Sequence, residues 1–197
     1  MASRRIGLLL GVGLVFAALS VLPLFFVDAR EAKPERLQPL YPAPSFTMMD
    51  SGGKPFSSGA LKGKVWVADF MFTSCPGVCP AMATQMARLH RLFADYGDVA
   101  FVSITVDPDN DTQDVLAEYA QKLKADTARW HFLRGDMKLV QSLSLEGFKL
   151  SALSAPSDHS PRFVLVDRAG QIRGYYDSRS DAEIRTLSND IAELLKK

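Results

Sequence analysis

The run KVWVADFMF (64–72) is apolar after its opening lysine except at Asp69, and it is rich in Val, Trp and Phe. Such a run reads as a strand buried on both faces. It breaks directly into TSCPGVCP, and the chain resumes as PAMATQMARLHRLFADYG, where Met82, Met86, Leu89 and Phe93 recur at helical spacing. A buried strand that turns through two cysteines into an amphipathic helix leaves few folds open. The downstream segments narrow them further. VAFVSITVD (99–107) is a second buried strand, and Asp111 is placed to cap a helix on which Val115, Leu116, Tyr119 and Leu123 share a face. WHFLRG reads as a short strand and 136–146 as a helix. RFVLVDRAGQIRGYYD predicts a hairpin pivoting on Ala169–Gly170, and the capping box from Ser180 to Glu183 opens a closing helix. Upstream, SFTMMDSGGKPFSS predicts an N-terminal hairpin turning at Gly52–Gly53. Strands alternating with helices predict an α/β domain over 45–197, with a thioredoxin-like central sheet flanked by helices.

The segment before this domain has a different composition. Ile6 to Val27 contains no charged residue and follows Arg4 and Arg5. At about 1.5 Å per residue it reaches roughly 33 Å, enough for a hydrocarbon core of about 30 Å. It predicts an N-terminal transmembrane helix, 6–27, whose flanking arginines hold residues 1–5 in the cytoplasm. The domain is then expected in the periplasm, tethered to a bacterial inner membrane by one span. DAREAKPERLQPLYPAP (28–44), with its prolines and charges, reads as an extended stalk. A formal net charge of +1, from 23 basic and 22 acidic side chains, gives no electrostatic case for a nucleic-acid partner.

Cys75 and Cys79 are the only cysteines. Pro80 suits the first position of a helix, which makes Cys79 its N-cap and sets both sulfurs at the positive end of the helix dipole. That field favours thiolate, the form that attacks disulfides and binds metals. Three chemistries stay open: an inert disulfide, a redox pair, or two metal ligands. The three intervening residues, with Gly77 lending backbone freedom, let two sulfurs approach one ion from separate directions. A metal needs a further donor. Among the three histidines, His90 is expected on a solvated helix face and His131 as a packed strand residue. His159 sits in SAPSDHSPRFVLVD, a polar loop just before a core strand, which in thioredoxin-like folds packs against the cysteine loop. Two thiolates and one imidazole suit copper, Cu(I) or Cu(II), better than structural zinc, which wants a fourth ligand. Met82 and Met86 are expected in the core, while adjacent Met48 and Met49 point to opposite sides of their strand.

FMFTSCPGVCP, SITVDPDNDT, WHFLRGD and DHSPRFVLVDRAG together resemble the Sco/SenC family of membrane-anchored, thioredoxin-like assembly factors of cytochrome c oxidase. The resemblance implies a copper metallochaperone rather than an enzyme. Cys75, Cys79 and His159 would be the metal ligands, with Asp107 and Asp158 close by. The implied partner is cytochrome c oxidase subunit II, whose dinuclear copper site would receive copper or have its cysteines reduced. Another periplasmic copper carrier or a thiol reductant would act upstream. The alternative function is a thiol-disulfide oxidoreductase that uses Cys75 and Cys79 without obligatory copper. Many family members carry His where this chain has Ser74 and Asp where it has Gly77. These departures are expected to shift the redox potential or partner choice and to leave the ligands in place. The variants Ser74→His and Gly77→Asp test this; unchanged potentials in both would count against it.

Overall fold

The computed structural model describes residues 37–77 and 79–196. Its frame is one eight-stranded mixed sheet in the order β1-β8-β7-β4-β5-β6-β2-β3. The strands are β1 (Tyr41–Pro42), β2 (Thr47–Asp50), β3 (Pro55–Ser57), β4 (Val65–Met71), β5 (Val99–Thr105), β6 (Trp130–Arg134), β7 (Arg162–Val166) and β8 (Gln171–Asp177). The helices are α1 (Cys79–Leu92), α2 (Gln113–Lys122), α3 (Met137–Ser142) and α4 (Asp181–Leu195). β4, β5 and β6 run parallel, and the remaining neighbours pair antiparallel.

Every residue of β4 and β5 is buried, because helices or loops cover both sides of the sheet. Alternation sorts their side chains. Val65, Val67 and Met71 pack on one face with Met82, Met86 and Leu89 of α1 and with Leu187 and Ile191 of α4. Trp66, Ala68 and Phe70 pack on the other face with Val140, Leu143 and Phe148. Phe148 stands edge-on to both Trp66 and Phe70. Asp69, on the first face, is the one charged side chain within the two central strands.

Several local expectations shift. The packed unit begins at Leu37 rather than Ser45. Leu37 is buried, β1 pairs with β8, and the Leu37 carbonyl accepts from Arg173, so the last part of the expected stalk is an edge of the sheet. Pro44 lies against Gly147, where an added Cβ would come within 2.8 Å of the proline ring; only glycine allows that approach. Gly147 ends a π-helical turn, Leu143–Gly147, that continues α3. The N-cap of α2 is Thr112, whose hydroxyl accepts from the Val115 amide, and not Asp111. At α4 the Ser180 hydroxyl accepts from the Glu183 amide, but the Glu183 carboxylate turns to the Asp177 amide. His90 is buried, edge-on to Phe101 and tilted against Trp130, with Arg129 donating to its ring. A helix residue flanked by two arginines reads as solvated; here the first-face core reaches one position further round α1. Among the described residues no helix is long and apolar enough to cross a membrane. The span expected at 6–27 and most of the 28–44 stalk lie outside them.

Candidate metal centre

Strand order brings the site together. β7 pairs antiparallel with β4, with Ala68 opposite Val164, so the start of β7 lies beside the end of β4. The loop that leaves β4 carries Cys75, and the loop that enters β7 carries His159. β5 runs parallel to β4 with Met71 opposite Thr105, so its end reaches the same rim.

At this rim the donor atoms of Cys75, Cys79 and His159 all lie within 4.8 Å of one another. Cys79 opens α1 and is 1% exposed, His159 is 5% exposed, and Cys75 is half-buried. No disulfide joins Cys75 and Cys79. Cys79 Sγ and His159 Nε2 are 3.1 Å apart, and His159 Nδ1 lies 3.4 Å from the Ser160 carbonyl. Burial pushes the Cys79 thiol up to about 12, reinforced by the neighbouring Cys75 and the charge of Asp69. The helix-dipole expectation is thus reversed at Cys79, because loss of water outweighs the field of the first turn. The same burial lowers the affinity of His159 for a proton. The geometry sets Nε2 against Cys79 Sγ and Nδ1 against the Ser160 carbonyl. Nε2 is therefore the ring atom turned toward the sulfurs, held by a backbone partner behind it. Phe72 stands edge-on to the imidazole at 5.7 Å and closes one side.

Three donors of this kind match a soft ion that accepts low coordination, and Cu(I) is the best fit among common metals. Binding would release the thiol protons, because the metal takes thiolates. Among the described residues no carboxylate joins the cluster. Asp107 accepts twice from the Asn110 side chain in the turn after β5. Asp158 accepts from the Ala155 amide, and its backbone carbonyl accepts from Ser151. Asp158 therefore braces the turn ahead of His159 from outside the cluster. Ser74, Pro76 and Gly77 form the exposed outer wall of the loop. An added Cβ at Gly77 would meet only Cys75 Sγ, at 3.9 Å, so no steric demand requires glycine there. His131 lies tilted against Phe56, ring centres 4.2 Å apart, and is not in the cluster.

Two carboxylates behind the loop carry no sequence signal that ties them to the site. Asp69 is 2% exposed and its Oδ1 has no hydrogen-bond partner; burial raises its carboxyl to about 7, against the opposing pull of the Ser103 hydroxyl. Asp111 is fully buried and binds Thr73 and Thr105. For Asp69 the available hint is an acid inside a buried-strand run. For Asp111 the turn position hides the role.

The SCO1/SenC family model matches residues 35–196. A SCO1/SenC family lipoprotein from Bacillus anthracis is 35% identical, with a TM-score of 0.73 over 80% of this chain and 98% of that one. BsSco, described as a member of the Sco family of cytochrome c oxidase assembly proteins with a disulfide switch, is 30% identical. Its TM-score is 0.70, over 80% of this chain and 95% of that one. Copper-bound ScoI from Bradyrhizobium japonicum shares the fold, at 24% identity and a TM-score of 0.64 over 77% and 98% of the two chains.

Proposed function

The chain belongs to the SCO1/SenC family, and on that premise we propose that it carries one copper ion on Cys75, Cys79 and His159 for the assembly of cytochrome c oxidase. Its recipient is the dinuclear copper site of subunit II. Copper here is cargo, so the site must take it up and let it go. The observation that carries this reading is the meeting of two sulfurs and one imidazole nitrogen within 4.8 Å, with no carboxylate among them. A fourth protein ligand would favour zinc and slow release. We place the protein in a bacterial inner membrane, anchored by 6–27, with its domain in the periplasm. Release of the chain from membranes by an alkaline wash would overturn that placement.

The unequal burial of the two thiols favours a second activity. Cys75 is half-buried whereas Cys79 is buried with its proton held tightly. That is the division of labour of a dithiol reductant: the outer sulfur attacks a partner disulfide and the inner sulfur resolves the mixed disulfide. Two thiols of this chain would become one disulfide, while the partner gains two electrons and two protons. Anaerobic copper titration of the reduced protein, wild type against His159→Ala, separates the readings. The chaperone reading expects one equivalent bound, with thiolate-to-copper(II) absorption where Cu(II) is the titrant, and a loss of both copper and oxidase assembly in the variant. Full oxidase assembly by His159→Ala would leave the reductase.

A further inference from the structure

Of the three donors, Cys75 has the least support from regular structure. Cys79 is fixed by the first turn of α1, and His159 by its loop, by Phe72 and by the adjoining start of β7. Cys75 sits between exposed Ser74 and exposed Pro76, and the backbone bond that its amide makes, to the Phe72 carbonyl, is 3.4 Å long. Cys75 packs against the edge of the core, and the loop that carries it is held at Thr73.

We propose that Asp111 is the anchor of that loop: its buried carboxylate holds Thr73, and through Thr73 sets Cys75 where its sulfur shares an ion with Cys79 and His159. This rests on the copper reading of the site. The Thr73 hydroxyl donates to Asp111 Oδ1 at 2.5 Å, and the Thr73 amide reaches both carboxylate oxygens at 3.2 and 3.1 Å. The Thr105 hydroxyl donates to Oδ2 at 2.5 Å. Thr105 ends β5, so the clamp ties the cysteine loop to the most deeply buried part of the sheet. Each bond ends on a carboxylate shielded from water, where hydrogen bonds to an acid are short and strong. Among the described residues Asp111 lies outside the ligand cluster, and its turn neighbour Asp107 accepts from Asn110. The carboxylate acts on the metal only through the loop it holds. Outer groups that orient ligands commonly govern metal affinity by about 10–100-fold.

The test uses the full chain in mild detergent, reduced under anaerobic conditions. Cu(I) is partitioned against a chromophoric chelator, and the Cys75/Cys79 pair is equilibrated with reduced and oxidised glutathione. Thr73→Val and Asp111→Asn are expected to weaken copper binding about tenfold or more, whereas Thr73→Ser, which keeps the hydroxyl, stays within about twofold of wild type. Thr73→Val should also move the glutathione equilibrium several-fold toward the protein disulfide, because the clamp belongs to the dithiol geometry. Thr73 is part-exposed, so Thr73→Val carries the test if Asp111→Asn does not fold. A folded Thr73→Val with wild-type copper affinity and wild-type glutathione equilibrium overturns the proposal. So does a Thr73→Ser variant as weak as Thr73→Val, which would put the effect in packing. If the wild type takes up no copper, the copper reading falls by itself. The glutathione equilibrium then tests the clamp: a shift in Thr73→Val supports it and no shift overturns it.

Discussion

Asp69→Asn should change how stability depends on pH by an amount readable from the structure. Asp69 faces the α1 side of the sheet and is 2% exposed, with Oδ1 unpaired. Burial raises its carboxyl from 3.8 to about 7, with the Ser103 hydroxyl pulling the other way. Between those values the folded protein holds a proton that the unfolded chain has released. Stability therefore falls as pH rises from about 4 to about 7, and it levels off above. Each pH unit is worth about 1.4 kcal/mol, so the whole fall approaches about 4 kcal/mol as an upper figure. An amide of the same shape cannot ionise, so Asp69→Asn lacks this slope. The assay is urea unfolding of wild type and variant at pH 4.5, 5.5, 6.5 and 7.5. His90, His131 and His159 are all lowered by burial and cost stability as pH falls below 6.5. They are common to both proteins, so the difference between the two isolates Asp69. The variant should gain roughly 3 kcal/mol on wild type across this range. A difference that stays flat with pH would mean that Asp69 is ionised throughout and that burial does not hold its proton.

His90→Phe should leave copper stoichiometry unchanged, since His90 packs on Phe101 and Trp130 outside the ligand cluster. Burial, then the neighbouring Arg129, lowers the His90 pKa, so charging it costs stability below pH 6.5 and the variant should gain on wild type in urea melts at pH 5.5. Gly53→Ala should destabilise by about 1–2 kcal/mol. Gly53 has φ of +74°, and an added Cβ would lie 2.6 Å from the Gln113 side chain at the start of α2. An unchanged thermal midpoint for Gly53→Ala would show that the β2–β3 turn relaxes freely.

Much of the site is legible in residue types and spacing, and the parts that are not share a cause. Cys75 and Cys79 lie at a strand-to-helix junction, and both flanks of that junction show in local periodicity. His159 is reachable because it precedes a core strand in a polar loop. His90 misleads because its arginine neighbours describe charge, while its burial depends on how α1 rotates against Phe101 and Trp130. Asp107 and Asp158 stand next to informative motifs yet spend their carboxylates on local turns. The carboxylate that does reach the loop, Asp111, bonds to Thr73 from 38 positions away.

Local residue patterns are enough for the elements: two strands buried on both faces, an amphipathic helix opening at a cysteine, closing hairpin and helix, and the soft donors available. Those follow from side-chain periodicity and backbone limits within a few residues of each position. It takes the packed fold to lay β7 antiparallel to β4, and so to choose which imidazole meets the sulfurs. That fold also sets Tyr41–Pro42 along the sheet edge, shuts water away from the Cys79 thiol and lets Asp111 grip the loop. Strand order and the exclusion of water are properties of the whole packed chain, and no short window of residues contains them.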